Sequence, residues 1–287
     1  MNILEVKNLE KIYRERDIFK KIKNPKAEKG IRDINFQVEE GEIFSIIGLN
    51  GAGKTTIMKC LLGLLDYDKG EINIFQKGKL KKNDLKYIGY LPEISYYPKS
   101  IKLEVLMEYY SELLELKNRK NLIDESLDRI GLLDRKNSKL EDFSKGMLQK
   151  VGIAQAIINK PKLLFLDEPM SGLDPLARAE VIELMLDLKK QGTTIFLNTH
   201  ILDDIEKIGD RGIIVHKGSI IDKFNLKDMK LQDTYLVEFE DKTKVEVGLD
   251  EFKDMINSGR RLLNIQKKEA SLEGYFREKL EVRRIER

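Results

Sequence analysis

"GLNGAGKTT", residues 48–56, lies between the apolar run "IFSII" (43–47) and the apolar stretch "IMKCLLGLL" (57–65). Gly48, Gly53, Lys54 and Thr55 fall in the register G-x-x-x-x-G-K-[ST]. That pattern is a phosphate cradle between a strand and a helix. Glycine lets backbone N–H groups turn toward a ligand without a Cβ in the way. The helix that follows offers unpaired N–H groups and the positive end of its dipole to an anion. Lys54 would reach the β- and γ-phosphates, Thr55 would coordinate Mg²⁺, and Thr56 lies close enough to touch the α-phosphate. Asn50, Gly51 and Ala52 complete the loop. Flanked by "GEIFSIIG" as a strand and "KTTIMKCLLGLL" as a helix, the motif predicts nucleotide binding on a parallel α/β sheet.

A phosphate site needs a second element on another strand, and "PKLLFLDEP" (161–169) supplies it. Leu163–Leu166 form an unbroken apolar run, as a strand buried on both faces requires. Asp167 then stands at the strand's C-terminal end, where open α/β sheets place their ligands. It is suited to hold Mg²⁺, directly or through water. Glu168 follows, placed to orient or deprotonate an attacking water. Further on, "TTIFLNTH" (193–200) reads as a buried strand ending at His200, whose imidazole N–H could contact a γ-phosphate. His216 is the other histidine; beside a hairpin turn, it reads as a surface residue.

These segments, with three more, carry a resemblance. "FSKGMLQKV" (143–151) resembles the Leu-Ser-Gly-Gly-Gln signature of ABC transporter ATP-binding subunits. "SGLD" (171–174) resembles their D-loop, "IGYLPEISYYP" (88–98) their Q-loop region, and His200 the switch histidine. Order and spacing agree from about residue 3 to residue 222. The chain departs from the pattern in two places. Glu93 replaces the Q-loop glutamine, keeping an oxygen for Mg²⁺ or its water but adding negative charge. Lys145 and Met147 replace the first glycine and the glutamine of the signature, while Ser144 and Gly146 remain.

The resemblance implies a fold and a machine. The fold is α/β, a P-loop NTPase with a RecA-like, mostly parallel sheet, an antiparallel β subdomain and a helical subdomain near residues 94–160. The cassette would span residues 1–224, and a small C-terminal α+β extension residues 225–287. The implied function is ATP binding and hydrolysis around two ATP·Mg²⁺ held between two ATPase subunits. Ser144 and Gly146 would face the nucleotide of the second subunit, and Tyr13 would stack on adenine unless it is a strand-end core residue. The partner would be an integral membrane permease, with Tyr96, Tyr97 and Pro98 near its docking site or in the core. The variant motifs resemble those of drug, antibiotic, lipid or peptide exporters. The alternative is a non-transport relative acting on ribosomes or DNA. Such proteins usually carry two cassettes or a long coiled coil, and neither is evident.

Composition narrows the remaining classes. The chain has 287 residues, 41% hydrophobic and 35% charged, against the ~25% charged residues usual in globular proteins. With 52 basic and 49 acidic residues the net charge is only +3, so no nucleic-acid partner is expected. The single cysteine, Cys60, excludes an intrachain disulfide and reads as core packing. No stretch approaches the ~20 apolar residues of a membrane span, and the N-terminus lacks a signal-peptide pattern. A cytoplasmic protein held at the inner face of the cell membrane by its permease is therefore expected.

Two regions fall outside the motifs. "RERDIFKKIKNPKAEKG" (14–30) is mostly basic and reads as a solvated loop or hairpin, with contact to anionic lipid or a partner as the alternative. Beyond Phe224, alternation in "TYLVEFEDKTKVEVG" (234–248) predicts a hairpin, followed by a helix, a strand and a terminal helix. This unit reads as a stabilising extension, with regulation and dimer support open. Ser144 is expected to cap the signature helix. Asp174, Pro175 and Gly192 are expected to cap, start and end the helix between them.

Overall fold

A computed structural model describes residues 1–13, 29–229, 234–240, 242–257, 261–268 and 271–285. The chain begins with β1 (Asn2–Tyr13), β2 (Lys29–Glu39), β3 (Ile43–Ile47), α1 (Lys54–Leu61), β4 (Lys69–Ile74) and β5 (Ile88–Leu91). A helical block follows: α2 (Leu103–Leu113), α3 (Arg119–Arg129) and α4 (Lys145–Ile157). Strands and helices then alternate through β6 (Leu163–Asp167), α5 (Pro175–Lys190), β7 (Thr194–Asn198), α6 (Leu202–Ile208) and β8 (Arg211–His216), with β9 (Ser219–Asn225) after them.

The large sheet has the order β5-β6-β7-β3-β8-β9. Neighbours from β5 to β8 run parallel. Every residue of β3, β6 and β7 is buried, which is why these strands read as unbroken apolar runs rather than alternations. β8 turns into β9 through Lys217 and Gly218, both at positive φ (47° and 82°), the geometry of a tight hairpin. A second sheet, β2-β1-β4, is antiparallel. Phe36 of this sheet joins it to the first: its ring lies 5.3 Å from Phe44, which lies 5.8 Å from Phe196, which lies 5.5 Å from Phe165. Burying each such ring is worth about 1.5–3 kcal/mol.

Some boundaries differ from the sequence reading. β1 runs from Asn2 to Tyr13, further than alternation alone marks. Its pairing shifts register between Val6 and Leu9, and Asn8 adopts φ 49°. The bulge places Val6 and Leu9 three residues apart yet both in the core, so period-2 alternation fails while the strand continues. α1 is shorter than expected, because the chain leaves the helix at Leu62 and Gly63 takes φ 69°. The strand before His200 stops at Asn198. His216 is half-buried, not a surface residue. Of the basic stretch 14–30, only Lys29 and Gly30 lie within the described residues, and they begin β2.

The chain separates into two compact units, Met1–Ile221 and Asp222–Arg287. In the second, α7 (Leu226–Met229) is followed by β10 (Thr234–Phe239), β11 (Lys244–Gly248), α8 (Leu249–Asn257), β12 (Leu262–Lys268) and α9 (Leu272–Ile285). Its antiparallel sheet has the order β11-β10-β12. Val237, Phe239 and Val247 form its core, and the Tyr235 ring stacks on Phe252 at 4.1 Å.

Candidate functional site

The C-terminal ends of β3, β6 and β7 converge on one cavity of about 740 Å³. The loop from β3 to α1 forms its floor. Gly48 cannot carry a side chain, because a Cβ there would sit 2.3 Å from the Val215 carbonyl oxygen of β8. Gly53, the residue before α1, has φ 111°, and a Cβ would meet Ile31 at 2.7 Å. The loop is thus pressed between β8 and β2, with Asn50, Gly51, Ala52 and Gly53 on the cavity wall. Lys54 is buried, and its ammonium donates to the Gly48 carbonyl at 2.7 Å. Burial lowers its pKa, against the opposing pull of Glu168, Asp167 and Glu93. Thr55 and Thr56, in the first turn of α1, complete this wall.

The acidic side comes from β6. Asp167, its last residue, is 2% exposed. Burial pushes its carboxyl up to about 6, and the hydrogen bond from Asn198 Nδ2 of β7 is the main opposing influence. Glu93 and Glu168 add repulsion, and Lys54 draws the value back down. Glu93, on the loop after β5, lines the same cavity. The donors in this set, a buried carboxylate, the Thr55 hydroxyl and a second carboxylate, are all oxygens, the chemistry a dication would require.

Glu168 holds φ 51°, a left-handed conformation uncommon for a residue with a side chain. The surroundings fix it. Its N–H donates to the Asn198 carbonyl at 2.8 Å, and its own carbonyl accepts from Ser171 N–H at 3.1 Å. Its carboxylate accepts from Thr199 Oγ1 at 3.3 Å and lies 2.9 Å from His200 Nδ1. The His200 ring is therefore on Glu168 in this structure, with 61% of its side chain exposed. Tyr13 stands at the rim, 45% exposed, with its hydroxyl 3.3 Å from Thr56 Oγ1.

One group of expected site residues lies elsewhere. Ser144 caps α4, accepting from Met147 N–H at 3.2 Å, but neither it nor Gly146 lines the cavity. Gly146 packs beside Leu173 and Gly172 instead. Asp174 caps α5, accepting from Ala177 N–H at 2.9 Å, with Pro175 opening the helix. The signature and the segment 171–174 are therefore neighbours on one surface. Tyr96 is 87% exposed, while Tyr97 is turned inward and donates to Gln155 Oε1 at 3.3 Å. Burial raises the Tyr97 phenol to about 12, so it is a packing residue rather than an exposed aromatic. Cys60 is buried on α1, its thiol raised by burial to about 11.

The structure adds residues that the motifs did not name. Asn198 and Thr199 support Asp167 and Glu168; both lie in "FLNTH", as polar residues closing an apolar strand. Gln149 of α4 donates to the carbonyls of Glu168 (3.3 Å) and Pro169 (3.1 Å), tying the signature helix to the end of β6. Nothing local in the sequence marks that contact. Lys29, Gly30 and Lys217 also line the cavity.

Comparison with known proteins agrees with this geometry. The family model described as ABC transporter matches residues 31–171. An uncharacterized ABC transporter ATP-binding protein of Synechocystis is 40% identical over 224 residues, 77% of this chain. The match spans only 62% of that relative's own length. The bacitracin transport ATP-binding protein BcrA of Bacillus licheniformis is 34% identical over 234 residues, covering 80% of this chain and 76% of the relative. A solved structure of an ATP-binding subunit of an ABC transporter superposes with a TM-score of 0.69 at 32% identity, covering 79% of this chain and 92% of that one. A glycine loop wedged between β8 and β2, a buried carboxylate facing it, and matches of this extent lead to one conclusion: the chain belongs to the family of ABC transporter ATP-binding proteins, with their P-loop α/β fold.

Proposed function

We propose that this chain is the ATP-hydrolysing subunit of an ABC transporter that drives a separate integral membrane permease. The observation that carries this reading is the single cavity lined by the glycine loop, Lys54, Thr55, Asp167 and Glu168. Loop N–H groups and the α1 N-terminus hold the phosphates, Lys54 leaves the Gly48 carbonyl for the β- and γ-phosphate oxygens, and Thr56 contacts the α-phosphate. Tyr13 stacks on adenine, a contact worth about 1–3 kcal/mol per base in other systems. Asp167, Thr55 and Glu93 are the residues that would hold Mg²⁺ or its water. When bound, the ion supplies positive charge beside the β- and γ-phosphates.

Glu168 orients a water and takes its proton as oxygen attacks the γ-phosphorus. The bond to the β–γ bridging oxygen breaks, and ADP leaves with the electron pair. Lys54 stabilises the charge that shifts onto the leaving oxygen. Thr199 and His200 hold the Glu168 carboxylate in line, and His200 is placed to meet the γ-phosphate once nucleotide enters. Ser144 and Gly146 are directed to the nucleotide of a second ATPase subunit, so the working unit is a dimer. Their position away from this molecule's own cavity supports that arrangement.

Among the described residues no helix is long and apolar enough to cross a membrane, which fits a protein held at the inner membrane face by its permease. The bacitracin and lantibiotic transport names among the relatives support export as the direction. Those transport names also favour this reading over one acting on ribosomes or DNA. Glu168→Gln should lower steady-state phosphate release by about 10²–10⁴-fold while ATP still binds. Release at the wild-type rate would sink the assignment of the base.

A further inference from the structure

The unit Met1–Ile221 contains a second cavity, of about 680 Å³, that shares no lining residue with the nucleotide cleft. It lies at the other end of the large sheet. The cleft is at the C-terminal ends of β6 and β7, whereas Lys162 and Thr193 of this cavity immediately precede those strands. A five-residue strand separates the two sites by roughly 15 Å. The start of β1, the β2–β3 turn, the turn after β4, helix α3, and the segments leading into β6 and β7 meet here.

Its chemistry is divided. Ile157, Ile158 and Leu188 are buried and give it an apolar floor. Tyr87 and Phe75 form an aromatic wall, half-buried, with ring centroids 6.1 Å apart and planes at 78°. Around this stand four cations, Lys77, Arg129, Lys160 and Lys162, against two lining carboxylates, Glu40 and Glu125, and Lys77 is also paired with Asp84 at 3.7 Å. Glu125 is already engaged, with Lys160 at 2.7 Å and Arg129 at 3.3 Å. Lys162 Nζ lies 5.4 Å from the Tyr87 ring centroid, so one cation is held beside the aromatic wall. Arg129 Nη2 donates to Gln191 Oε1 at 3.0 Å, joining α3 to the segment before β7 across the cavity.

We propose that this cavity binds a small organic anion with a flat apolar body, such as an aryl carboxylate, sulfonate or phosphate. The volume lies within the ~300–1,000 Å³ range of small-molecule sites, and the lining combines apolar surface with a few convergent charged groups. The rim's excess of positive charge in a recess bounded by apolar walls favours an anion. The ring of the ligand packs on Tyr87 and the isoleucine floor, and its charged group meets Lys160, Lys162 and Arg129. A ligand so placed touches helix α3 and both segments that lead into the central strands β6 and β7 at once. It would therefore stiffen the contact that Arg129 and Gln191 make between them.

The test uses the full chain with excess ATP to fill the nucleotide cleft. The probes are 8-anilinonaphthalene-1-sulfonate and its uncharged analogue N-phenyl-1-naphthylamine, followed by fluorescence. One saturable site for the sulfonate, undisturbed by ATP, is expected. The double variant Lys160→Gln/Lys162→Glu, verified as folded by circular dichroism, should bind the sulfonate about tenfold more weakly, the scale of losing and reversing partly exposed charges. Its affinity for the uncharged dye should stay unchanged. In the wild-type chain, hydrogen exchange should slow at residues 122–129 and 191–194 when the sulfonate binds. Displacement of the dye by ATP, an unaltered affinity in the double variant, an equal loss for both dyes, or no protection at those segments would each overturn the proposal.

Discussion

Replacing Asp167 by asparagine should stabilise the nucleotide-free protein while removing its metal-binding carboxylate. Asp167 is 2% exposed, and its carboxyl is pushed from the ordinary 3.8 up to about 6, chiefly by burial. Between those two values the folded state holds the proton that the unfolded state has released. Stability therefore falls as pH rises from 3.8 through 6 and levels off above. At 1.36 kcal/mol per tenfold change, the buried charge costs the folded state about 3 kcal/mol at pH 7.5 and about half of that at pH 5. Asparagine keeps the shape, removes the charge, and its carbonyl still accepts from Asn198 Nδ2. At about 2–4 °C per kcal/mol for a unit of this size, the Asp167→Asn midpoint should rise by roughly 6–12 °C at pH 7.5, and by about half of that at pH 5. Thermal unfolding followed by circular dichroism, in chelator and without nucleotide, measures both. A variant that melts at or below the wild-type midpoint at pH 7.5, or an offset equal at the two pH values, would refute the reasoning. The same change should abolish ATP turnover, so the carboxylate is kept at the expense of stability.

Lys54→Ala removes an ammonium that donates to the Gly48 carbonyl and faces the cleft. Charged hydrogen bonds are worth about 1.5–3 kcal/mol, so ATP affinity measured by calorimetry should fall roughly 10–100-fold. Unchanged affinity would count against the cradle. Gly48→Ala puts a methyl group 2.3 Å from the Val215 carbonyl oxygen. Displacing the loop or β8 to admit it should cost about 1–3 kcal/mol in urea unfolding and weaken nucleotide binding; a variant equal to wild type on both counts would show that the loop is not wedged there.

The parts of the fold that depend on burial are legible in the sequence. "IFSII", "LLFLD" and "TIFLN" are apolar without alternation, and they are the three adjacent central strands. Asp174, Pro175 and Gly192 marked a helix whose caps and bounds the structure repeats, because capping is decided within a few residues. The second half of β1 is not marked by alternation, because the bulge at Asn8 breaks the period on which strand reading depends. The sequence does not separate Tyr97 from Tyr96, since neighbouring residues share a context, whereas the burial of Tyr97 depends on α4, more than fifty residues away.

Within the site, the residue types and the strand ends they occupy followed from the sequence alone. A glycine loop, a lysine and paired threonines before a helix leave few structural uses, and an acidic pair after an apolar strand has to emerge at the sheet's C-terminal end. Tertiary structure decided the charge state and the support of those groups. Burial in the folded chain pushes the carboxyl of Asp167 up to about 6, against the lowering pull of Asn198 and Lys54, which come from other parts of the chain. Glu168 holds its left-handed turn because Asn198 and Gln149, from a different strand and a distant helix, hydrogen-bond its backbone. Sequence determines what each segment does with its immediate neighbours; desolvation and long-range hydrogen bonds exist only once the strands lie side by side.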